Sequence, residues 1–228
     1  MNLNADFSCR VAVHGASLPW VASPMAGVER RMLDRVGGEV ARATSIVRYA
    51  RGSRFAPHLH AGGEEFLVLE GVFQDEHGDY PAGTYVRNPP QSSHQPGSTD
   101  GCIIFVKLWQ FDPEDRRPVR SDTRAGLHQP DAVRAGVEIL PLFRESSEDV
   151  RLERWAGGAE IHLALPAGGE FLVLGGGFEE GGEGFHPQSW LRMPPGAQLK
   201  ARAAAQGCRL MVKTDHLAPP RGANRAMP

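Results

Sequence analysis

The run Gly52-Ser-Arg-Phe-Ala-Pro-His58-Leu-His60-Ala-Gly-Gly-Glu64-Glu-Phe-Leu-Val-Leu-Glu-Gly71 decides how this chain is read. It sets two imidazoles and a carboxylate at fixed spacing in a strand-like stretch. Side chains at i and i+2 of an extended strand share a face, so His58 and His60 point the same way. Glu64 has the same parity and joins them if the Gly62-Gly63 turn keeps register. A third imidazole, His94, follows just after Asn88-Pro89-Pro90. Three imidazoles and one carboxylate form an N3O donor set for a divalent transition metal such as zinc, iron, manganese or nickel. A lone His-x-His is ordinarily surface or polar lining. Here it stands inside a longer pattern, Gly-x5-His-x-His-x3-Glu-x6-Gly and then Gly83-x5-Pro89-x4-His94. His58, His60, Glu64 and His94 are therefore the candidate metal ligands.

The 228 residues allow one large or two small domains with a proper core. A net charge of -2 provides no global field to draw nucleic acid or an anionic membrane. The 27 glycines and 18 prolines favour short strands and turns over long helices. Cys9, Cys102 and Cys208 make neither a disulfide framework nor a Cys-x-x-Cys site, which fits a reducing cytoplasm. The polar start reads as no signal peptide, and no apolar run is long enough to span a bilayer. Gly175-Gly-Gly177 lacks the pattern of a phosphate loop and reads as a loose turn.

The chain repeats itself. Gly62–Phe73 returns as Gly168–Phe178, Tyr85–Pro90 as Trp190–Pro195, and Gly101–Lys107 as Gly207–Lys213, in the same order and about 106 residues apart. The second copy lacks the donors. At that spacing Ala164 takes the place of His58, Pro166 that of His60 and Leu199 that of His94, while Glu170 matches Glu65. His162 and His186 have no ligand spacing and read as surface or turn residues. Arg87, Lys107 and Cys102 recur as Arg192, Lys213 and Cys208, so they are expected to serve the fold, with Cys102 a buried strand residue.

Strand signals dominate. Glu39–Tyr49, Glu65–Leu69 and Ile103–Trp109 have strand length and composition. Asp75–Asp79 and Pro81–Gly83 read as turns, with His77 exposed at a hairpin tip. Asn88-Pro89-Pro90 is expected to turn the chain so that His94 aims back into a barrel. Ser17–Val36 is read as a short helix or extended arm, 111–135 as a polar, proline-broken linker, and the tail from Ala218 as fraying. The domain expectation is therefore a metal-binding domain over 1–110, a linker over 111–135, a ligand-free copy over 136–217 and a tail over 218–228. Periodicity alone says all-β sandwich or barrel.

The spacing of both histidine-bearing segments resembles the two signature motifs of the cupin superfamily, except that Gln91 and Ser98 stand where Gly and Asn are usual. This resemblance implies a double-stranded β-helix, or jelly roll, and the repeat implies two tandem cupin domains. Residues 39–110 are further similar to the cupin domain of ChrR-type anti-sigma factors. In that family the domain binds zinc and takes part in the response to singlet oxygen and peroxide. Members that inhibit a sigma factor carry a helical N-terminal domain with its own His/Cys zinc motif, whereas the first 38 residues here hold only Cys9 and His14.

Three functions compete. One is a regulatory or stress-sensing zinc protein, whose partner is a sigma factor or another regulatory protein. The second is a dioxygenase using iron, manganese or nickel on small diketones or aromatic ketones, as cupins with this donor set include, with Phe66, Val68, Tyr85 and Phe105 as pocket wall. The third is a metal-stabilised binding protein. A small-molecule ligand and a homodimer through sheet edges are further expectations, with no nucleic acid and no membrane.

Overall fold

The computed structural model describes residues 1–38 and 40–217. Glu39, the expected start of the first strand, and the tail from Ala218 lie outside the described residues. Apart from one 3-10 turn at Gly15–Ser17, the regular elements among the described residues are strands, in a double-stranded β-helix of the jelly-roll type. Contacts divide the described residues into two compact units, one made of Met1–Ala5 with Ser17–Gly126, the other of Asp6–Ala16 with 127–217.

In the first unit the main sheet runs in the order Val119–Asp122, Thr84–Asn88, Glu64–Asp75, Cys102–Leu108, Ala41–Tyr49, Val28–Gly37, Val21–Ala22. A separate antiparallel pair joins His58–His60 to Ser92–His94. Alternation turns Phe66 and Val68 inward with Val86, Ile104 and Val106 to form the core. Against Cys102–Leu108, the Glu64–Asp75 strand shifts register beyond Val68, and Gly71 sits at φ 69°. That bulge flips the parity. Inward positions are even before it and odd after it, so Phe73 packs in the same core.

The second unit has the matching order: Val11–His14, Ser189–Met193, Gly169–Glu180, Ala197–Thr214, Glu148–Trp155, Val137–Glu145, Gln129–Pro130. Its core holds Phe171, Val173, Phe178, Leu191 and Leu210, the counterparts of the first unit's inward positions.

Of the two readings of Ser17–Val36 the extended one holds: no helix follows the turn ending at Ser17, and most of its second half forms the long strand Val28–Gly37 on Ala41–Tyr49. Two expectations are corrected here. The expected linker 111–135 contains Val119–Asp122, which closes the first unit's sheet beside Thr84–Asn88. The N-terminal arm does not belong wholly to the first unit, because Val11–His14 pairs with Ser189–Met193 in the second. The reason is the same in both cases. An open sheet edge presents unpaired backbone groups, and a short remote segment satisfies them.

The charged residues common to both repeats are structural. Glu65 lies opposite Arg87 and Lys107, and Glu170 lies opposite Arg192 and Lys213. All six are buried. Buried charge is tolerated only when partnered. In the first unit Tyr85 donates to Glu65 at 2.7 Å, Arg87 pairs with Asp115, and Lys107 donates to Thr44 at 3.0 Å. In the second, Trp190 Nε1 and His216 Nε2 sit 3.2 and 3.0 Å from the Glu170 carboxylate, and Lys213 pairs with Glu148 at 2.5 Å. Cys102 and Cys208 are buried strand residues whose thiols are pushed up to about 11 and about 12 by burial.

Candidate metal centre

The strand His58–His60 is short and pairs in register with Ser92–His94, so His58 lies opposite His94 and His60 opposite Ser92. Alternation turns Leu59 outward, where it is exposed, and sends His58 and His60 to the other side. The return to Glu64 is a tight turn. Gly63 donates its N–H to the His60 carbonyl at 3.2 Å with φ at 76°, a conformation that favours glycine. The same carbonyl accepts from Gln91 N at 3.0 Å, which ties the two histidine-bearing segments together. Gln91, at the position where the family pattern has glycine, holds φ at 72°.

These elements bring all four predicted donors together. The three imidazole rings sit 4.8 to 5.1 Å apart, centroid to centroid. His60 Nε2 is 2.9 Å from His94 Nε2, and the Glu64 carboxylate lies 3.4 and 3.6 Å from those two nitrogens. His58 forms the third corner of the histidine cluster and lies at its more exposed side. Glu64 and His94 are buried.

Two further groups, not singled out by the sequence, complete the arrangement. Asp75 places its carboxylate 3.3 Å from His94 Nδ1. Its other oxygen accepts from the Tyr80 hydroxyl at 2.9 Å and from the His77 N–H at 2.8 Å. Asn88 donates to Glu64 Oε2 at 3.2 Å. Asp75 was hidden from a parity argument because it lies beyond the bulge, odd-numbered on a strand whose donor is even. Two other readings are corrected. Phe66 and Val68 do line the interior, but Tyr85 and Phe105 lie opposite Leu67, on the other face of the sheet, so they are no part of that wall.

The electrostatics follow from this packing. Burial lowers the pKa of His60, and the charge of Glu64 only partly offsets it. Burial also opposes charge on His94, but the Asp75 hydrogen bond and the Glu64 charge outweigh it and raise its pKa. Asp75 stays below the ordinary carboxylate value, because the His94, His77 and Tyr80 hydrogen bonds outweigh its desolvation. If Nδ1 carries the proton toward Asp75, the lone pair of His94 Nε2 faces His60 and Glu64. Lone pairs converging in a buried site repel unless a cation or proton sits among them. Two ligands on one ion at about 2.0–2.1 Å stand roughly 2.9–3.4 Å apart, depending on tetrahedral or octahedral angles. The separations among His60, His94 and Glu64 lie in or next to that range, so these three donors fit a single first-row transition metal, with His58 beside them within 4.8 Å.

The matching strand positions of the second unit carry no donors. Gly168 donates to the Leu165 carbonyl with φ at 82°, the counterpart of Gly63 and His60. Leu163 pairs with Leu199 and Leu165 with Ala197, as His58 pairs with His94 and His60 with Ser92. The counterparts of His58 and His60 are therefore Leu163 and Leu165, one residue before the expected Ala164 and Pro166. The Gly168 turn fixes this register. Leu199 faces the core as the counterpart of His94, and Gly169 stands for Glu64. His77, His162 and His186 are exposed.

Residues 8–112 match the family model described as ChrR Cupin-like domain. Nothing among curated proteins matches this sequence. A candidate dioxygenase from Nostoc punctiforme superposes with a TM-score of 0.76 at 13% identity, covering 97% of this chain and 88% of that one. The bacterial pirin YhhW from Escherichia coli, in complex with nickel(II), gives 0.63 at 15% identity over 93% and 100%. A Cupin 2 conserved barrel domain protein from Leptotrichia buccalis gives 0.60 at 9% identity over 90% and 95%. At such identities the likeness shows a shared fold, the cupin barrel. No helix among the described residues is long and apolar enough to cross a membrane.

Proposed function

We propose that this protein, a cupin by fold and by the sequence match over residues 8–112, holds one divalent transition metal in its first unit and serves a regulatory or stress-sensing role. The ligands are His58, His60, His94 and Glu64, zinc is the expected ion, and the second unit is a cupin copy whose site has been filled by leucine. The observation that carries this reading is the convergence of His60 Nε2, His94 Nε2 and Glu64 within 2.9 to 3.6 Å, with His58 beside them. Four protein donors suit a closed zinc site, and closed sites serve structure and signalling more than turnover. Bound there, a cation would neutralise the carboxylate and tie the Ser92–His94 segment to the His58–Glu64 turn. The partner in this reading is a sigma factor or another regulatory protein, and the setting is cytoplasmic.

Metal content of protein purified from unsupplemented cells, compared with His60→Ala, tests the proposal. Near-stoichiometric zinc lost in the variant is the expected result. No metal in either protein overturns it. A second reading, a metal-dependent dioxygenase for small diketones or aromatic ketones, is favoured by one observation: Phe73 lies 5.8 Å from the His94 ring, beside an apolar interior that includes Phe66 and Val106. Iron, manganese or nickel in the purified protein, with oxygen uptake on such ketones, would select it.

A further inference from the structure

We propose that Asp75 is the positioning residue of the metal centre, fixing the tautomer and ring orientation of His94, and that the Asp75–Tyr80 hairpin is built to hold it. The proposal rests on the metal-binding reading above and deepens it. A ligating imidazole ordinarily donates its second N–H to a carboxylate or carbonyl, which sets which nitrogen faces the metal. His94 has that partner: its Nδ1 is 3.3 Å from Asp75 Oδ2. His58 Nδ1 has the neutral Ala56 carbonyl at 3.3 Å. The two imidazoles differ, and the carboxylate support stands beside His94.

Asp75 is itself held in place. Tyr80, one strand over in the hairpin and buried in the core, donates to Oδ1 at 2.9 Å, and the His77 N–H at the hairpin tip donates to the same atom at 2.8 Å. One carboxylate oxygen is thus occupied by the hairpin and the other is left for His94. The Phe73 ring lies 5.8 Å from His94 and 5.9 Å from Tyr80, filling the space between them. The far side of the hairpin borders a polar cleft of about 380 Å³ that reaches Asp75, Glu76 and Asp79.

The test uses the full chain with zinc sulfate as the probe. Zinc affinity is measured by chelator competition for wild type, Asp75→Asn, Asp75→Glu and Asp79→Asn. Asp79 contacts Gln74 in the same hairpin and serves as the control. Asp75→Asn is expected to weaken zinc binding roughly 10- to 100-fold, with part of the loss recovered in Asp75→Glu and none seen in Asp79→Asn. Nitrogen-15 imidazole spectra of the metal-free proteins provide the readout that a merely structural role would not move. At alkaline pH, where the imidazoles are neutral, His94 is expected as the Nδ1–H tautomer in wild type and as a tautomer mixture in Asp75→Asn. Wild-type affinity and an unchanged His94 tautomer in a folded Asp75→Asn protein would overturn the proposal. If Asp75→Asn fails to fold, Tyr80→Phe, which frees Asp75 from one restraint, must weaken zinc binding; an unchanged affinity then refutes it. Wild type that binds no zinc while keeping the Nδ1–H tautomer would mark the failure of the metal reading instead, with Asp75 still orienting His94.

Discussion

Replacing Gly63 by alanine should weaken the first unit through two separable effects. Gly63 holds φ at 76°, where a Cβ meets the following carbonyl, and the strain is about 1–2 kcal/mol. The added methyl also has nowhere to go. Its ideal position lies 2.5 and 2.6 Å from Cδ2 and Cγ of Phe111. That ring cannot swing away freely, because the buried Arg87 guanidinium stacks on it at 4.1 Å. Overpacking of this kind costs about 1–3 kcal/mol, so the sum is about 2–5 kcal/mol. For a chain of this size each kcal/mol lowers the melting temperature by about 2–4 °C. The transition reporting the first unit should fall by roughly 4–20 °C in differential scanning calorimetry. Gly52→Ala is the matched control: φ is 73° and the new Cβ meets nothing within 4 Å, so only the backbone cost remains. Gly63→Ala melting within error of Gly52→Ala would refute the steric half of the reasoning. Wild-type melting in both would refute all of it.

Other outcomes are expected from the same structure. Glu153→Gln should destabilise the second unit by about 1–3 kcal/mol at pH 7, because half-buried Arg134 and buried Arg151 lose the charge of their shared carboxylate while keeping Asp131 and Asp149. Glu153 lies below its ordinary 4.5 because, despite desolvation, Arg151, Arg134 and Trp155 favour its charged form. Its contribution is present above pH 4.5 and lost as pH falls through the folded value, so Glu153→Gln should flatten the acid limb of a stability–pH curve; an unchanged limb would count against this account. Native-state alkylation at pH 8 should label Cys9 and spare Cys102 and Cys208, whose burial keeps them as thiols; mass spectrometry showing three labels in folded protein would contradict it. Zinc affinity should fall as pH drops from 8 to 6, since His94 holds its proton to higher pH than an ordinary imidazole and protons compete with the metal; flat titration calorimetry across that range would argue against histidine ligation.

The class of fold was legible in the sequence, and so were the residues proposed as donors. His58, His60 and Glu64 were legible because alternation is a local property of extended backbone, and two glycines between them announce the turn that keeps their register. The repeated blocks were legible for the same reason, since the apolar run and its glycines encode one strand whatever surrounds it. What the sequence could not show depended on pairing across strands. Asp75 reaches His94 only because the Glu64–Asp75 strand bulges against Cys102–Leu108, and a bulge is a mismatch between two segments that neither reveals alone. Tyr85 and Phe105 were placed on the wrong face because both take their side from Leu67, their partner across the ladder. The counterparts of the histidines in the second unit fell one residue from their expected places because the Gly168 turn, and not the residue count, sets that register. Val11–His14 and Val119–Asp122 gave no sign of the sheets they complete. Short edge strands take their structure from an open row of backbone donors and acceptors supplied by a distant segment, so only the tertiary fold decides where they go.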